Sequence, residues 1–291
     1  MGKLDGKVAI VTGAGGGLGR CHAIGLAAEG AKVVVNDLGG KRDGTGESHS
    51  MADSVVAEIK AAGGQAVAHY GSVTSEADAA DMVASAVKHF GRLDILINNA
   101  GILRDRTFKK MTHEEWDLVI NVHLRGTYLV TRAAWDVMLA QGQGGRIVNT
   151  SSTSGLIGNF GQANYGAAKA GIAGFTRVLA LEGMKAGITV NTLAPAAFSR
   201  MTEDIMEERQ ADRFAPEKVS PVVVWLCTDE AKDVNGRQFC VGGNRISLLS
   251  WQVLTIGEHD PKGKPWSVDE VDEAMKATRE QWPRLLKPME V

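Results

Sequence analysis

Cysteine is scarce in this sequence, and its placement excludes two common structural roles. The chain of 291 residues contains three cysteines, Cys21, Cys227 and Cys240, and none of them stands in a Cys-x-x-Cys spacing. An odd, scattered set of thiols supports neither a disulfide framework nor a zinc site. The seven histidines do not cluster either. We therefore expect three reduced, buried thiols and no metal.

Basic runs and long apolar runs are also missing. The formal net charge is -2 at pH 7, whereas a nucleic-acid partner held by its phosphates requires a basic stripe. No apolar run approaches the roughly 18 residues that a bilayer-spanning helix needs. The first predicted strand starts at residue 7, which leaves no room for a signal peptide. These absences predict a cytoplasmic protein with no nucleic-acid partner and no membrane insertion.

What the sequence does contain is a regular alternation of two kinds of segment. Short β-branched runs, nearly continuous in apolar residues, are typical of strands buried on both faces of a parallel sheet. They are residues 8–11, 32–36, 66–69, 95–98, 146–150 and 189–193. Between and after them, apolar residues at intervals of three and four predict helices. These helices cover residues 18–29, 50–62, 76–89, 114–140, 163–185 and 220–228.

Helix-boundary signals support this division. Thr74 before Asp78, and Thr112 before Glu115, are typical N-terminal capping patterns. Alternating strands and helices predict an α/β fold, a doubly wound parallel sheet of the Rossmann type with helices on both faces. Glycine also stands at the predicted end of three helices, as a C-terminal stop, at Gly30, Gly91 and Gly187.

The predicted organisation is a single domain with a tail. Residues 1–246 form a dinucleotide-binding catalytic domain, and residues 247–291 form a C-terminal extension that is rich in charge and carries Trp251, Trp266 and Trp282. We expect the extension to cover the active site or to form a subunit contact, with core packing of the three rings as the alternative. Residues 39–50 are expected to form a flexible insert after the second strand.

A glycine-rich turn joins the first strand to the first helix. The pattern G-x-G-x-x-G does not fit it, because the third glycine would fall on Leu18, whereas T-G-x-x-x-G-x-G fits with Gly13, Gly17 and Gly19. Glycine permits the close approach of backbone to a pyrophosphate, and a helix N-terminus favours negative charge. The turn, Leu18 included, is therefore a candidate cofactor site; a turn without a ligand is the alternative.

An acidic residue follows at the end of the second strand. Asp37 can accept hydrogen bonds from the ribose hydroxyls of the adenosine, and it would repel a 2′-phosphate. No lysine or arginine lies inside the glycine turn. Both observations favour NAD over NADP, whereas Lys41 and Arg42 in the insert favour the reverse. The alternative for Asp37 is a turn residue at a strand end.

Tyr165 and Lys169 are four positions apart on a predicted helix, so both project from one face. A phenol has a pKa near 10 and is a poor base at pH 7. A neighbouring ammonium is expected to lower that pKa and so give a usable acid and base for hydride transfer with a nicotinamide. Ser152, just past the fifth strand, can hold the substrate oxygen. Alone, Y-x-x-x-K is as typical of a solvated helix face; together with the glycine turn and Asn98-Asn99-Ala100-Gly101 it indicates chemistry.

With these motifs in place, residues 5–245 resemble a classical short-chain dehydrogenase/reductase. The resemblance implies a catalytic tetrad of Asn121, Ser152, Tyr165 and Lys169. The lysine also binds the nicotinamide ribose in that family, and the asparagine holds a proton-relay water. The family's D-V after the third strand is Ser-Val here, and its P-G after the sixth strand is Pro-Ala. The implied cofactor contacts add Ser72, Val73, Asn99, Ala100, Gly101, Tyr165, Lys169 and Pro195.

A narrower resemblance rests on five sequence blocks, residues 36–40, 101–106, 123–126, 158–165 and 199–202. They are similar to the NAD-dependent (3R)-hydroxyacyl-CoA dehydrogenase part of the peroxisomal multifunctional enzymes of type 2. This resemblance implies a small acyl thioester substrate, oxidised from (3R)-3-hydroxyacyl-CoA to 3-oxoacyl-CoA. The enzyme alternatives are a 3-oxoacyl carrier-protein reductase and a hydroxysteroid dehydrogenase. An inactive NAD(H)-sensing protein is disfavoured, because sensing requires neither Tyr165 nor Ser152.

The two long predicted helices, 114–140 and 163–185, carry more apolar residues than one sheet face can cover. A symmetric partner would bury the remainder, and the family resemblance points to the same contact. We therefore expect a homodimer or homotetramer. The apolar residues concerned are Trp116, Leu118, Tyr128, Leu129, Trp135, Ile172, Phe175, Leu179 and Leu181.

Overall fold

The fold is built on one eight-stranded sheet. The computed structural model describes residues 2–197, 211–258, 263–284 and 286. The strand order is β3-β2-β1-β4-β5-β6-β7-β8, parallel from β3 through β7, with β8 antiparallel to β7. The strands are β1 Val8–Thr12, β2 Lys32–Asn36, β3 Gln65–His69, β4 Ile95–Asn98, β5 Gly145–Thr150, β6 Ile188–Pro195, β7 Gln238–Gly242 and β8 Arg245–Leu249.

Helices connect the strands and cover the sheet. Successive residues of a strand point to opposite faces, and in β1 Val8 and Ile10 join one apolar core while Ala9 and Val11 join the other. The doubly wound α/β fold predicted from the sequence is therefore confirmed. The helices are α1 Gly17–Ala28, α2 Ser50–Ala61, α3 Glu76–Phe90, α4 His113–Ile120, α5 Gly126–Gln141, α6 Thr153–Leu156, α7 Ala163–Glu182, α8 Ser220–Leu226 and α9 Val268–Thr278.

The helix predicted over 114–140 is present without a break from His113 to Gln141, but it is not α-helical throughout. A π-helical turn, Asn121–Arg125, separates α4 from α5, and the N–H of Gly126 donates to the carbonyl of Asn121. A π turn holds one residue more than an α turn, and apolar spacing alone does not reveal such an insertion. The Thr112–Glu115 capping box is present as predicted. The cap of α3 is instead Ser75, one residue after Thr74.

The insert after β2 is tied down rather than flexible. The N–H of Leu103 donates to the carbonyl of Arg42 at 3.0 Å, and Arg104 Nε donates to the carbonyl of Asp43 at 2.8 Å. Within the insert, the N–H of Lys41 donates to the carbonyl of Thr45 at 2.7 Å. Composition gave no sign of these bonds, because the partners lie about sixty positions away in the chain. We call residues 39–48 the cleft strap.

The C-terminal region also differs from expectation. The predicted boundary at residue 246 falls inside β8, so the sheet continues to Leu249. Helix α9 has no buried residue. Trp251, Trp266 and Trp282 are 67%, 38% and 42% exposed, which argues against core packing of these residues within one chain.

Three further features bear on the function. Cys21, Cys227 and Cys240 are buried and unpaired, as predicted. Across the described ranges, no His, Cys, Asp or Glu residues gather in a group able to hold a metal ion. None of the described helices is both long and apolar enough to cross a membrane.

Candidate active site

A cleft of about 240 Å³ lies at the ends of the neighbouring strands β1 and β4. From β1 the chain continues toward β2 on one side of the sheet, and from β4 toward β5 on the other. In open parallel sheets such a switch point, at the carboxyl ends of the strands, is the usual ligand site. Most of the predicted cofactor contacts line it, although Tyr165, Lys169 and Pro195 do not. The predicted residues in the lining are Gly13, Gly17, Leu18, Gly19, Asp37, Ser72, Val73, Asn99, Ala100 and Gly101.

The glycines of the turn are required by close backbone packing. Gly13 has φ +62°, and a Cβ on it would lie 2.7 Å from Ala100 Cα. A Cβ on Gly19 would lie 2.1 Å from the carbonyl oxygen of Gly13. Thr12 Oγ1 accepts hydrogen bonds from the N–H groups of Asn99 and Ala100 at 3.0 and 3.1 Å. The turn after β1 and the segment after β4 are therefore joined into one surface.

This surface fits an anionic dinucleotide. Gly16 precedes α1 and provides no side-chain cap, so the first N–H groups of the helix remain available to a pyrophosphate. Asp37 Oδ2 accepts from Gly15 N–H at 2.7 Å and Oδ1 accepts from Gly39 N–H at 2.6 Å. Each carboxylate oxygen can accept a second hydrogen bond, which leaves capacity for ribose hydroxyls.

The cleft strap completes the lining; of its residues, the sequence indicated only Lys41 and Arg42 as near the cofactor. Gly40, Lys41, Arg42 and Gly44 border the cleft. A Cβ on Gly44 would lie 3.2 Å from Cδ1 of Ile102, a residue just beyond β4. The strap therefore runs from the end of β2 to the far wall of the cleft, and brings two cations to a site whose glycine turn has none.

Ser152 and Tyr165 lie together, as predicted. Ser152 caps α6, where its Oγ accepts a hydrogen bond from Ser154 N–H at 3.1 Å. Its hydroxyl also lies near the hydroxyl of Tyr165, close enough to lower the pKa of that phenol. Gly155 allows helix α6 to approach α7 closely, since a Cβ at this position would lie 2.5 Å from the backbone nitrogen of Ala170. This packing brings the two hydroxyls together.

Lys169 lies beside the same ring but bonds elsewhere. Its Nζ donates to the carbonyl of Thr150 at 2.6 Å and lies 5.5 Å from the centroid of the Tyr165 ring. Only 3% of the residue is exposed. Because burial disfavours the charged form, the pKa of Lys169 is lowered to about 7.

The pKa of Tyr165 shifts in the direction opposite to our prediction. Burial of the hydroxyl raises the pKa to about 12; the nearby Ser152 lowers it by less, and the negative charge of Asp105 adds a small increase. The sequence shows the charge of Lys169 but not the loss of water around the phenol. This loss of hydration outweighs the opposing effect of Ser152.

Asn121 opens the π-helical turn, and its described side-chain contact is with Arg125, whose Nη1 donates to Asn121 Oδ1 at 3.3 Å. No described contact joins it to the other three residues of the tetrad. His123 instead packs edge-on against the Tyr165 ring, with centroids 5.2 Å apart. Burial lowers the pKa of His123 to about 3, so its ring is neutral at pH 7.

Sequence reasoning missed His123 and three polar residues near α7, namely Asn164, Gln162 and Asp105. Asn164 is fully buried and its Nδ2 donates to the carbonyl of Arg104 at 3.0 Å, while the N–H of Tyr165 donates to its Oδ1 at 2.7 Å. Two signals were available in the sequence: Gln162 and Asn164 come just before Tyr165, and all four residues lie within the sequence blocks given above. The block at residues 199–202 lies outside the described residues.

Comparisons with known proteins agree with this geometry. The chain is 54% identical over 247 residues to a Mycobacterium tuberculosis protein named as a short-chain type dehydrogenase/reductase, covering 85% of this chain and 86% of that one. It is 52% identical over 255 residues to mouse (Mus musculus) peroxisomal multifunctional enzyme type 2, covering 88% of this chain and 34% of the enzyme. The chain thus spans about a third of that enzyme's length.

A solved structure and a family model extend the likeness. The crystal structure of a short chain dehydrogenase from Mycobacterium avium matches with a TM-score of 0.85 at 45% identity and covers 98% of each chain. The short chain dehydrogenase family model matches residues 7–212. The chain therefore belongs to the short-chain dehydrogenase family of NAD(P)-dependent oxidoreductases.

Proposed function

We propose that the chain is an NAD-dependent dehydrogenase that interconverts (3R)-3-hydroxyacyl-CoA and 3-oxoacyl-CoA. The observation that carries the proposal is the nearness of the Ser152 and Tyr165 hydroxyls, with the amine of Lys169 beside the phenol ring. Two converging hydroxyls and a nearby proton carrier suit proton exchange with the oxygen of a secondary alcohol or a ketone.

In the proposed reaction, Ser152 donates a hydrogen bond to the substrate oxygen and Tyr165 exchanges a proton with it. Gly13, Gly17, Gly19 and Asp37 would hold a nicotinamide dinucleotide in the neighbouring cleft, which when bound would provide hydride-transfer chemistry. With a pKa near 7, Lys169 can be charged or neutral at neutral pH, and we assign it to relay the proton of Tyr165. Following the family pattern, Asn121 is assigned to the water in that relay.

NAD is the proposed cofactor. The fixed carboxylate of Asp37 can receive ribose hydroxyls but would meet a 2′-phosphate as a like charge. Lys41 and Arg42 line the same cleft and favour the opposite preference. Measuring kcat/KM with both cofactors decides between these groups, and a wild-type preference for NADP would refute the assignment.

Two relatives bear on the substrate. A Mycobacterium tuberculosis protein that is 44% identical over 260 residues is named a hydroxyacyl-CoA dehydrogenase. A Synechocystis protein that is 41% identical over 254 residues is named a 3-oxoacyl-[acyl-carrier-protein] reductase. The second name keeps the carrier-protein substrate as the alternative. The five sequence blocks described above favour the CoA thioester.

The site supports selection of one epimer, and the resemblance to the (3R)-hydroxyacyl-CoA dehydrogenases assigns it as 3R. Ser152 and Tyr165 hold the substrate oxygen, and the cleft sets the direction of hydride transfer, so one face of the reacting carbon is presented. The decisive experiment supplies the 3R and 3S epimers of a hydroxyacyl-CoA with NAD and follows NADH. We expect oxidation of the 3R epimer. Equal rates, or activity only with carrier-protein or steroid substrates, would exclude the acyl-CoA proposal and leave the dehydrogenase family assignment intact.

We also propose a homodimer or homotetramer formed through α5 and α7. Of the apolar residues considered in the sequence, Leu129 and Ile172 are buried within the chain, whereas Tyr128 and Leu181 are exposed. A shallow groove between these helices adds Phe175 and other apolar side chains. Light scattering at micromolar concentration tests the proposal, and the mass of a monomer would contradict it.

A further inference from the structure

Gln162 lies directly before α7, the helix that carries Tyr165 and Lys169. Its carbonyl accepts a helical hydrogen bond from Gly166 N–H at 2.7 Å, but its side chain does not cap the helix. The side chain turns instead toward two neighbouring loops, and the residue is only 9% exposed. Its buried amide therefore serves contacts outside its own helix.

Three side chains fix the orientation of that amide. Oε1 accepts hydrogen bonds from Ser154 Oγ at 2.7 Å and from Asn159 Nδ2 at 3.0 Å, and Nε2 donates to Asp105 Oδ2 at 2.7 Å. A carboxylate only accepts hydrogen bonds. Turning the amide over would set its oxygen against Asp105, so one orientation alone satisfies all three partners.

The network adjoins both proposed reacting side chains. Ser154 N–H donates to Ser152 Oγ at 3.1 Å, while Tyr165 is in the first turn of α7 and senses the charge of Asp105. Asp105 belongs to the segment after β4, which is also joined to residue 161 by a backbone hydrogen bond from Arg106 at 2.9 Å. The amide thus connects the segment after β4, the segment after β5 and the start of α7.

We propose that Gln162 is the positioning residue for the Ser152–Tyr165 pair, acting through Ser154 and Asp105. It contacts neither substrate nor cofactor in this role. It sets the separation of two hydroxyls that must share one substrate oxygen. A displacement of about 1 Å in such a pair costs on the order of 10²-fold in rate.

The substitution Gln162→Glu tests this role because it keeps the shape and removes the donor. Above the pKa of the new carboxyl, two carboxylates face each other and repel. The charge of Arg42 acts on Asp105, and Asp105 acts on Tyr165. Arg106, whose backbone bridges to Gln162, is paired with Glu115. We expect kcat at pH 8 to fall by roughly tenfold or more, within the range that misplacement produces, with the cofactor Kd unchanged.

The pH profile separates positioning from a general loss of structure. As the pH falls and the new carboxyl takes up a proton, it regains a donor toward Asp105. The activity of Gln162→Glu, taken relative to wild type at each pH, should therefore rise between pH 8 and pH 6. A purely structural lesion would leave that ratio flat.

A second variant supplies the rescue. Gln162→Glu combined with Asp105→Asn restores a donor–acceptor pair in the opposite sense, because the new amide donates to the new carboxylate. We expect its kcat at pH 8 to return to within about threefold of wild type, as contacting residues couple strongly. Asp105→Asn alone still offers an oxygen to Gln162 and should lower kcat less than Gln162→Glu does.

The matched control is Gln141→Glu in α5. Gln141 also bonds through both ends of its amide, to the N–H and carbonyl of Leu93 at 2.8 and 2.7 Å, but far from the reacting groups. It should lower Tm without a pH-dependent loss of relative activity.

Every variant is assayed with a secondary alcohol that the wild type oxidises, so the result does not depend on the acyl-CoA proposal. Wild-type kcat at pH 8 in Gln162→Glu would overturn the positioning role. A folded double variant that is no more active than Gln162→Glu would also overturn it. If Gln162→Glu fails to fold, a double variant that is inactive would overturn it as well.

Discussion

The centre of the sheet and the described part of residues 250–286 differ in almost every physical respect. Ile97 in β4 is fully buried, whereas α9 has no buried residue and Val268 at its start is 85% exposed. The groups assigned to the reaction lie on helices and loops that pack against that sheet. Their positions depend on close packing, while the C-terminal segment presents charge and apolar surface to its surroundings. Substitutions should therefore have steep effects in one region and shallow effects in the other.

The steepest effect is expected at Tyr165. Tyr165→Phe removes the proton carrier but leaves the ring packed against His123, so kcat should fall by about 10²–10⁴-fold while NADH still binds. Trp282→Phe, an aromatic change in the C-terminal segment, is the comparison and should change kcat little. Steady-state kinetics and fluorescence titration with NADH measure both. Near-normal turnover in Tyr165→Phe would remove this residue from the mechanism.

Substitutions should also change the free energy of unfolding more in the centre of the sheet than in the C-terminal segment. Ile97→Ala creates a cavity in the core and should lower the free energy of unfolding by about 2–5 kcal/mol. Val271→Ala in α9, where the side chain is 38% exposed, should change it by less than about 0.5 kcal/mol. Urea denaturation at one protein concentration compares the two. A large effect at Val271 would show that α9 packs against a partner.

Lys169 gives the sheet region a dependence on pH that the C-terminal segment lacks. Its pKa in the folded protein, about 7, lies below the value of about 10.4 in an unfolded chain. Between these pH values the unfolded chain binds more protons than the folded one, so this group makes the free energy of unfolding rise with pH from 7 toward 10. Below pH 7 its contribution is a constant loss of stability.

Lys169→Met should remove that slope, which is at most roughly 1.4 kcal/mol per pH unit, while abolishing activity. Lys276→Met, which removes an exposed amine paired with Asp272 in α9, should leave the slope unchanged. Thermal unfolding between pH 6.5 and pH 9.5 tests the pair, and parallel curves for wild type and Lys169→Met would contradict the prediction.

The smallest effect is expected at the rim of the cofactor cleft. Asp37→Ala should narrow the preference for NAD over NADP by about tenfold, because one like charge near the 2′-phosphate is lost. Asp269→Ala at the start of α9 is the control. The ratio of kcat/KM for the two cofactors measures the effect. An unchanged ratio would mean that the cleft strap, and not Asp37, determines the choice of cofactor.

The features that were predictable depend on residues close together in the chain. The glycine turn, and Tyr165 with Lys169 on one helix face, follow from local spacing, and the apolar runs indicate the order of strands and helices. The cleft strap and the amide of Gln162 were not predictable, because both are defined by segments distant in sequence. The shift in the pKa of Tyr165 was missed for the same reason: it depends on how much protein surrounds the hydroxyl.

The crowding at Gly101 restricts which sequences this fold accepts. A methyl group there would lie 2.3 Å from Cε1 of His123. That ring is itself held by the backbone of Ile102 and by the edge of Tyr165. By contrast, a Cβ on Gly63 would meet nothing within 4 Å, and only its φ of +86° favours glycine. In a library randomised at both positions and selected for folding alone, residue 101 should return glycine exclusively, and residue 63 should also admit asparagine and aspartate.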